Sequence, residues 1–179
     1  DRDSCDRCLQ RDDEGRAAGR IGTWRAANAQ LLSQAQQVIV PDEDVAARLS
    51  NYFPAVHTRV QPHEPLHLPA NPPPRGPVRE ALVIGALSPI KGLQVLLGLA
   101  RSRVAAELGL HFTLLGHSSD DAALRAAGVQ VLGRYEDKAL AGRIAELAPD
   151  LILLPSVWPE TFCYVLTTAA ESGRPVAVF

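Results

Sequence analysis

The sequence has no methionine and only three cysteines, Cys5, Cys8 and Cys163. An odd, low cysteine count argues against a disulfide-built scaffold and fits a reducing compartment, so the chain is expected to be cytoplasmic. Net charge is almost absent: 20 acids oppose 18 bases, and no basic stripe is visible. Binding along a nucleic-acid backbone, which needs clustered lysine and arginine, is therefore not expected. Apolar runs fall short of the ~20 residues of a membrane span, and no signal peptide is visible. Any membrane association is expected to be peripheral, at the inner face. The chain opens on DRDSCDRC without an initiating methionine and closes on PVAVF, in or just after a strand. It is expected to be a fragment of a longer protein.

Metal ligands are also scarce. Cys5 and Cys8, as C-x-x-C, are half of a tetrahedral zinc site. No second C-x-x-C exists, and His57, His63, His67, His111 and His117 show no paired ligand spacing. The expectation is no metal and no cofactor, with a local structural role for the cysteine pair.

What is present is apolar content, 46% of 179 residues, enough for one domain or for one domain and a piece of another. From 16 to 37 the chain is alanine-rich, with Trp24, Ala27, Leu31 and Ala35 at helical spacing. QVIVP (37–41) reads as a buried strand, DEDVAARLSNYF (42–53) as a helix capped by Asp42, and VHTRVQP (56–62) as a strand. Residues 62–77 hold seven of the fourteen prolines. Proline removes backbone donors and fixes φ, so this stretch reads as an extended connector at a domain boundary. The expected organisation is a first part over 1–63, a linker over 64–79 and a second domain over 80–179.

Beyond the prolines, strands and helices alternate. Strands are expected at 80–85, 111–116, 129–133, 150–155 and 175–179, and helices at 91–108, 120–127, 136–148 and 160–172. Leu93, Leu96, Leu97, Ala100 and Val104 share one face of the first of these helices. Strands without polar alternation are buried on both faces, and with intervening helices they make an α/β, doubly wound parallel sheet. Ligands on such sheets sit at the carboxyl ends of the strands.

Four strand-to-helix corners are candidates for chemistry. In GALSPIKG, Gly85 suits a tight turn, Ser88 can cap a helix, and Lys91 with the helix amides can hold an anion. LGHSSDD, with Gly116, and LGRYED, with Gly133, Arg134 and Tyr135, are compatible with ordinary turn chemistry. In SVWPETFCYVLTTAAESGRPV, Glu160 near a helix start can stabilise the helix dipole, or it can face a ligand. Trp158 and Phe162 are compatible with plain core packing.

Taken in order, LVIGALSPIKG, FTLLGHS, VQVLGRYED and PDLILLPSVWPETFCYVLTTAAESGRPV closely resemble the nucleotide-sugar-binding domain of retaining GT-B glycosyltransferases, the group 1, family-four-like enzymes. The resemblance spans about residues 80–179. It implies a Rossmann-like donor domain, incomplete here, and makes 1–63 the end of the acceptor-binding domain. It implies a nucleotide-sugar donor and a glycan, lipid or small-molecule acceptor. Lys91 is implied as the diphosphate ligand, with Glu160 facing the transferred sugar, and these two are the catalytic candidates. Gly85, Ala86, Ser88 and Gly116 are implied on the donor side, Gly133, Arg134 and Tyr135 near the base, and the amides of Thr161, Phe162 and Cys163 at the diphosphate. The family's arginine five positions before the lysine is Ala86 here. Its second glutamate, which grips the ribose hydroxyls, is Thr168, and a hydroxyl cannot supply that two-oxygen grip. These departures keep two other readings in view, a non-catalytic nucleotide-sugar-binding module and a GT-B-fold nucleotide-sugar epimerase.

Overall fold

The structure, a computed structural model, describes residues 6, 21–63, 67–69, 77–158, 160 and 162–179. Cys5, Cys8 and Thr161 lie outside them. The chain divides into two compact units, Asp1–Pro65 and Leu66–Phe179. Of the linker expected over 64–79, residues 67–69 and 77–79 are described and carry neither helix nor strand.

The first unit contains helix α1 (Ile21–Gln34), strand β1 (Val38–Val40), helix α2 (Glu43–Tyr52) and strand β2 (Thr58–Val60). β1 and β2 pair in parallel, with α2 as the crossover between them. Asp42 caps α2 as its sequence suggests: its carboxylate accepts from the Val45 amide at 2.8 Å. The alanine-rich helix stops at Gln34 rather than 37, and Trp24 and Leu31 are exposed along it.

The second unit is a five-stranded, wholly parallel sheet. Its strands are β3 (Glu80–Leu87), β4 (His111–Ser118), β5 (Gln130–Gly133), β6 (Leu151–Leu154) and β7 (Val176–Val178). Their spatial order is β5-β4-β3-β6-β7. Between them run α3 (Leu93–Ala100), α4 (Arg103–Leu108), α5 (Asp121–Ala126), α6 (Leu140–Leu147) and α7 (Tyr164–Glu171). Apolar β-strand runs feed two cores. Ala81 and Val83 point to one face, with Leu93, Leu96, Ala105 and Leu124 of α3–α5. Leu82 and Ile84 point to the other, with Leu140 and Ile144 of α6 and Ala169 of α7. Burying each such Leu, Ile or Val contributes roughly 1.5–3 kcal/mol, which is why the strands need no polar face.

Four local expectations are corrected. The helix expected over 91–108 is three pieces: a 3-10 turn at Pro89–Lys91, then α3, then α4. Ser102 breaks the run because its hydroxyl caps a new helix, accepting from the Ala105 amide at 3.0 Å. The break shifts the helical phase, so Ala105 is buried while Val104 is 63% exposed. The last helix begins at Tyr164 and not at Glu160, because Cys163 is still extended at φ −117° and ψ 93°. Gly85 and Gly116 are not turn residues: β3 and β4 run two residues past them, and the two are paired across the strands. There Gly116 has φ 143°, and a Cβ on it would lie 1.9 Å from the Gly85 carbonyl oxygen, so only glycine fits. Finally, Ser88 precedes the 3-10 turn but makes no side-chain cap; its carbonyl closes the turn, accepting from the Lys91 and Leu93 amides.

Among the described residues, no helix is long and apolar enough to cross a membrane. No group of three or more His, Cys, Asp or Glu among them could hold a metal ion.

Candidate functional site

Strand order dictates where a cleft opens. From β3 the chain steps to β4 and β5 on one side, and then returns to place β6 and β7 on the other. The loops leaving β3 and β6 therefore diverge to opposite faces of the sheet, and a crevice opens between them at the strands' carboxyl ends. A cavity of about 380 Å³ lies there, lined by Gly85, Ala86 and Leu87 from β3, Lys91 from the next turn, and Pro155, Ser156, Glu160, Phe162 and Cys163 after β6.

The two loops are locked to each other through backbone. The Val157 amide donates to the Ile90 carbonyl at 3.1 Å. Gly92 adopts φ 87°, and a Cβ there would fall 2.0 Å from the Pro155 carbonyl oxygen. This close approach brings Lys91 and Glu160 together. Lys91 Nζ lies 2.6 Å from Glu160 Oε1, with the lysine side chain 41% and the glutamate side chain 21% exposed. Burial works against the Glu160 charge. Hydrogen bonds from Lys91, Ser156 and Cys163, together with the lysine charge, outweigh it and hold the carboxyl below the usual range. Burial pushes the Cys163 thiol up, and the neighbouring glutamate charge adds to the effect. The start of α7 receives no side-chain cap from Cys163, the residue that precedes it. Phe162 and Tyr164 meet edge to face, ring centroids 4.8 Å apart.

The structure thus brings Gly85, Ala86, Lys91, Glu160, Phe162 and Cys163 into one cavity. Ser88 and Gly116 lie beside it, without lining it. Gly133 ends β5, two strands away from β3, and Arg134 and Tyr135 follow it, with Arg134 exposed and Tyr135 packed on the core of α6 and α7. Burial, then the neighbouring Asp137 charge, pushes the Tyr135 hydroxyl up. Thr168 lies mid-way along α7, outside the lining. Trp158 is 59% exposed and is no core aromatic. Ser156 was not a sequence candidate. It is the first polar residue after an apolar strand facing the switch point, and that position is its only signal. Its single hydroxyl proton has acceptors in reach in the Trp158 carbonyl at 3.3 Å and the Glu160 carboxylate.

No family model matches the sequence, and no curated protein matches it. Solved structures do. The chain superposes on a mutant of S. aureus TarM, crystallised with fondaparinux, alpha-GlcNAc-glycerol and UDP, at a TM-score of 0.65 and 17% identity, over 93% of this chain and 34% of that one. On the pneumococcal O-GlcNAc transferase GtfA, solved with UDP and GlcNAc, the TM-score is 0.58 at 20% identity, over 88% and 32%. On Anabaena HepE, solved with UDP and glucose, it is 0.55 at 17%, over 87% and 48%. The fold is that of the GT-B glycosyltransferases. This chain spans about a third of the length of TarM and of GtfA.

Proposed function

We propose that the chain carries the donor side of a retaining glycosyltransferase, which moves a sugar from a nucleoside diphosphate to a glycan, lipid or small-molecule acceptor. The observation that supports this is the Lys91–Glu160 pair in the crevice where the strand order reverses. Breaking a sugar–diphosphate bond loads negative charge on the leaving phosphates. A lysine at the mouth of the cleft stabilises that charge. Positive charge grows at the sugar, and a nearby carboxylate supports it. UDP occupies the TarM, GtfA and HepE structures that share the fold, which makes a uridine diphosphate the first ligand to screen.

The test is a calorimetric titration of the purified chain with UDP, GDP and ADP and with their sugars. Saturable binding of at least one nucleoside diphosphate is expected, and it should be lost in Lys91→Ala. Failure of every diphosphate to bind would falsify the reading. The chain by itself is expected to bind donor without transferring sugar, and robust transfer to any acceptor would contradict that.

A binding module without catalysis is the second reading. It is favoured by the uncharged, exposed Ala86 on the cavity wall and by Thr168 lying off it. A module holds its donor intact. Slow release of free sugar from bound donor supports the enzyme.

A further inference from the structure

Resting on that proposal, we infer that Glu160 is an internal competitor for anions: it occupies Lys91 until a phosphate group displaces it, and so weakens the cleft's hold on bare anions. Lys91 Nζ sits 2.6 Å from Glu160 Oε1, so the cation that an incoming anion would use is already engaged. A carboxylate and a phosphate cannot both crowd one ammonium group without repelling each other. Glu160 is also only one-fifth exposed, so water compensates little for the loss of its lysine. The titratable groups facing it are Lys91, from the turn after β3, and Cys163 and Tyr164, from the segment entering α7; no second acid lines this cavity among the described residues. An anion that takes Lys91 therefore leaves Glu160 with Ser156 and Cys163 as partners and with a bound negative charge nearby. The carboxyl then takes up a proton more readily. A device of this kind keeps inorganic phosphates out of the empty cleft and helps a spent diphosphate to leave it. Glu160 acts here through Lys91, as a positioning residue.

The probe is inorganic pyrophosphate, titrated calorimetrically into the whole 179-residue chain and into Glu160→Gln at several pH values. At pH 7 the variant is expected to bind about tenfold tighter, the size of one charge-assisted contact. The ratio of the two affinities should fall toward one as the pH drops through the range in which the free protein's Glu160 carboxyl, held below the usual carboxylate range, takes up its proton. A merely structural role for Glu160 predicts no such pH-dependent ratio, and the ratio cancels the anion's own titration. Equal affinities at pH 7, or weaker binding by the variant, overturn the inference and leave the proposed function standing. No binding of pyrophosphate by either protein overturns the inference, while the nucleoside diphosphate titration decides the proposed function. Should Glu160→Gln fail to fold by circular dichroism, Glu160→Asp carries the test. It keeps the charge but falls a methylene short of Lys91, so tighter binding than wild type supports the inference, and equal or weaker binding overturns it.

Discussion

One corner of the sheet and a pair of others end in different chemistry. After β4, the chain satisfies itself: Asp121 accepts from the Ser118 amide and hydroxyl at 2.6 and 2.7 Å, and Asp120 caps α5 through the Ala123 amide at 2.9 Å. After β3 and β6, the caps are missing. Ser88, Gly92 and Cys163 stand at helix starts without a side-chain cap, and the charged groups of those loops reach across to each other. A helix start that has consumed its donors on its own side chains has little left to offer a ligand. The presence of glycine does not separate the two kinds of corner, since β3, β4 and β5 all carry one near their carboxyl ends. Side-chain capping sets the β4 corner apart from those after β3 and β6.

The contrast breaks most severely at Gly92. Gly92→Ala would drive a methyl group into the Pro155 carbonyl and force φ 87° on a side-chain-bearing residue, so the β3 and β6 loops must separate. A loss of about 3 kcal/mol or more in stability is expected by urea denaturation, together with loss of diphosphate binding. Lys91→Ala comes next: it should weaken nucleoside diphosphate binding by roughly 1.5–3 kcal/mol by calorimetry while barely moving the melting temperature. Asp120→Ala is the converse experiment. Stability should fall by about 1 kcal/mol with the lost cap, while diphosphate affinity stays as it was. A change in affinity there would dissolve the distinction between self-satisfied and open corners.

The smallest effect concerns acid. The Glu160 carboxyl is held below its unfolded value, so its contribution is fully present above about pH 4.3 and is lost as the pH falls through the lower folded value. Solvent screening of a pair that is partly exposed keeps this below about 1 kcal/mol. Comparing the pH–stability curves of wild type and Glu160→Gln between pH 5 and 2.5 should show them converging at the acid end. Curves that stay parallel would mean that the ion pair adds nothing to the fold.

The doubly wound sheet was legible because burial on both faces leaves continuous apolar runs, such as ALVI in β3 and LILL in β6, and such strands alternating with helices suit a parallel sheet covered on both sides. Asp42 was legible as a cap because its partner amide is three residues away. What escaped depended on competition or distance. Ser102 interrupts an apolar helical run whose periodicity says nothing about a hydroxyl turning inward to start a new helix. Gly85 and Gly116 look like turn residues until pairing sets them side by side, and pairing is not written in either segment. In the cleft, Lys91 and Glu160 were identifiable one at a time as candidates for opposite ends of a ligand. Their contact with each other was not, because it follows from a backbone approach between Gly92 and Pro155 that no local pattern encodes.

That approach has a consequence for the order in which the molecule is made. The Ile90 carbonyl and the Ser156 hydroxyl, which meet at the cleft, are 66 positions apart in the chain. β3 is central, and during synthesis it can pair with β4 as soon as both have emerged, but its other edge stays open until β6 arrives. Closing a loop of that length is slow compared with the local steps before it. The sheet's first three strands can therefore be in place while the anion site does not yet exist. Gain of diphosphate binding would then report the last docking event of this unit rather than its collapse, and a nascent chain that has not reached β6 would be blind to the ligand.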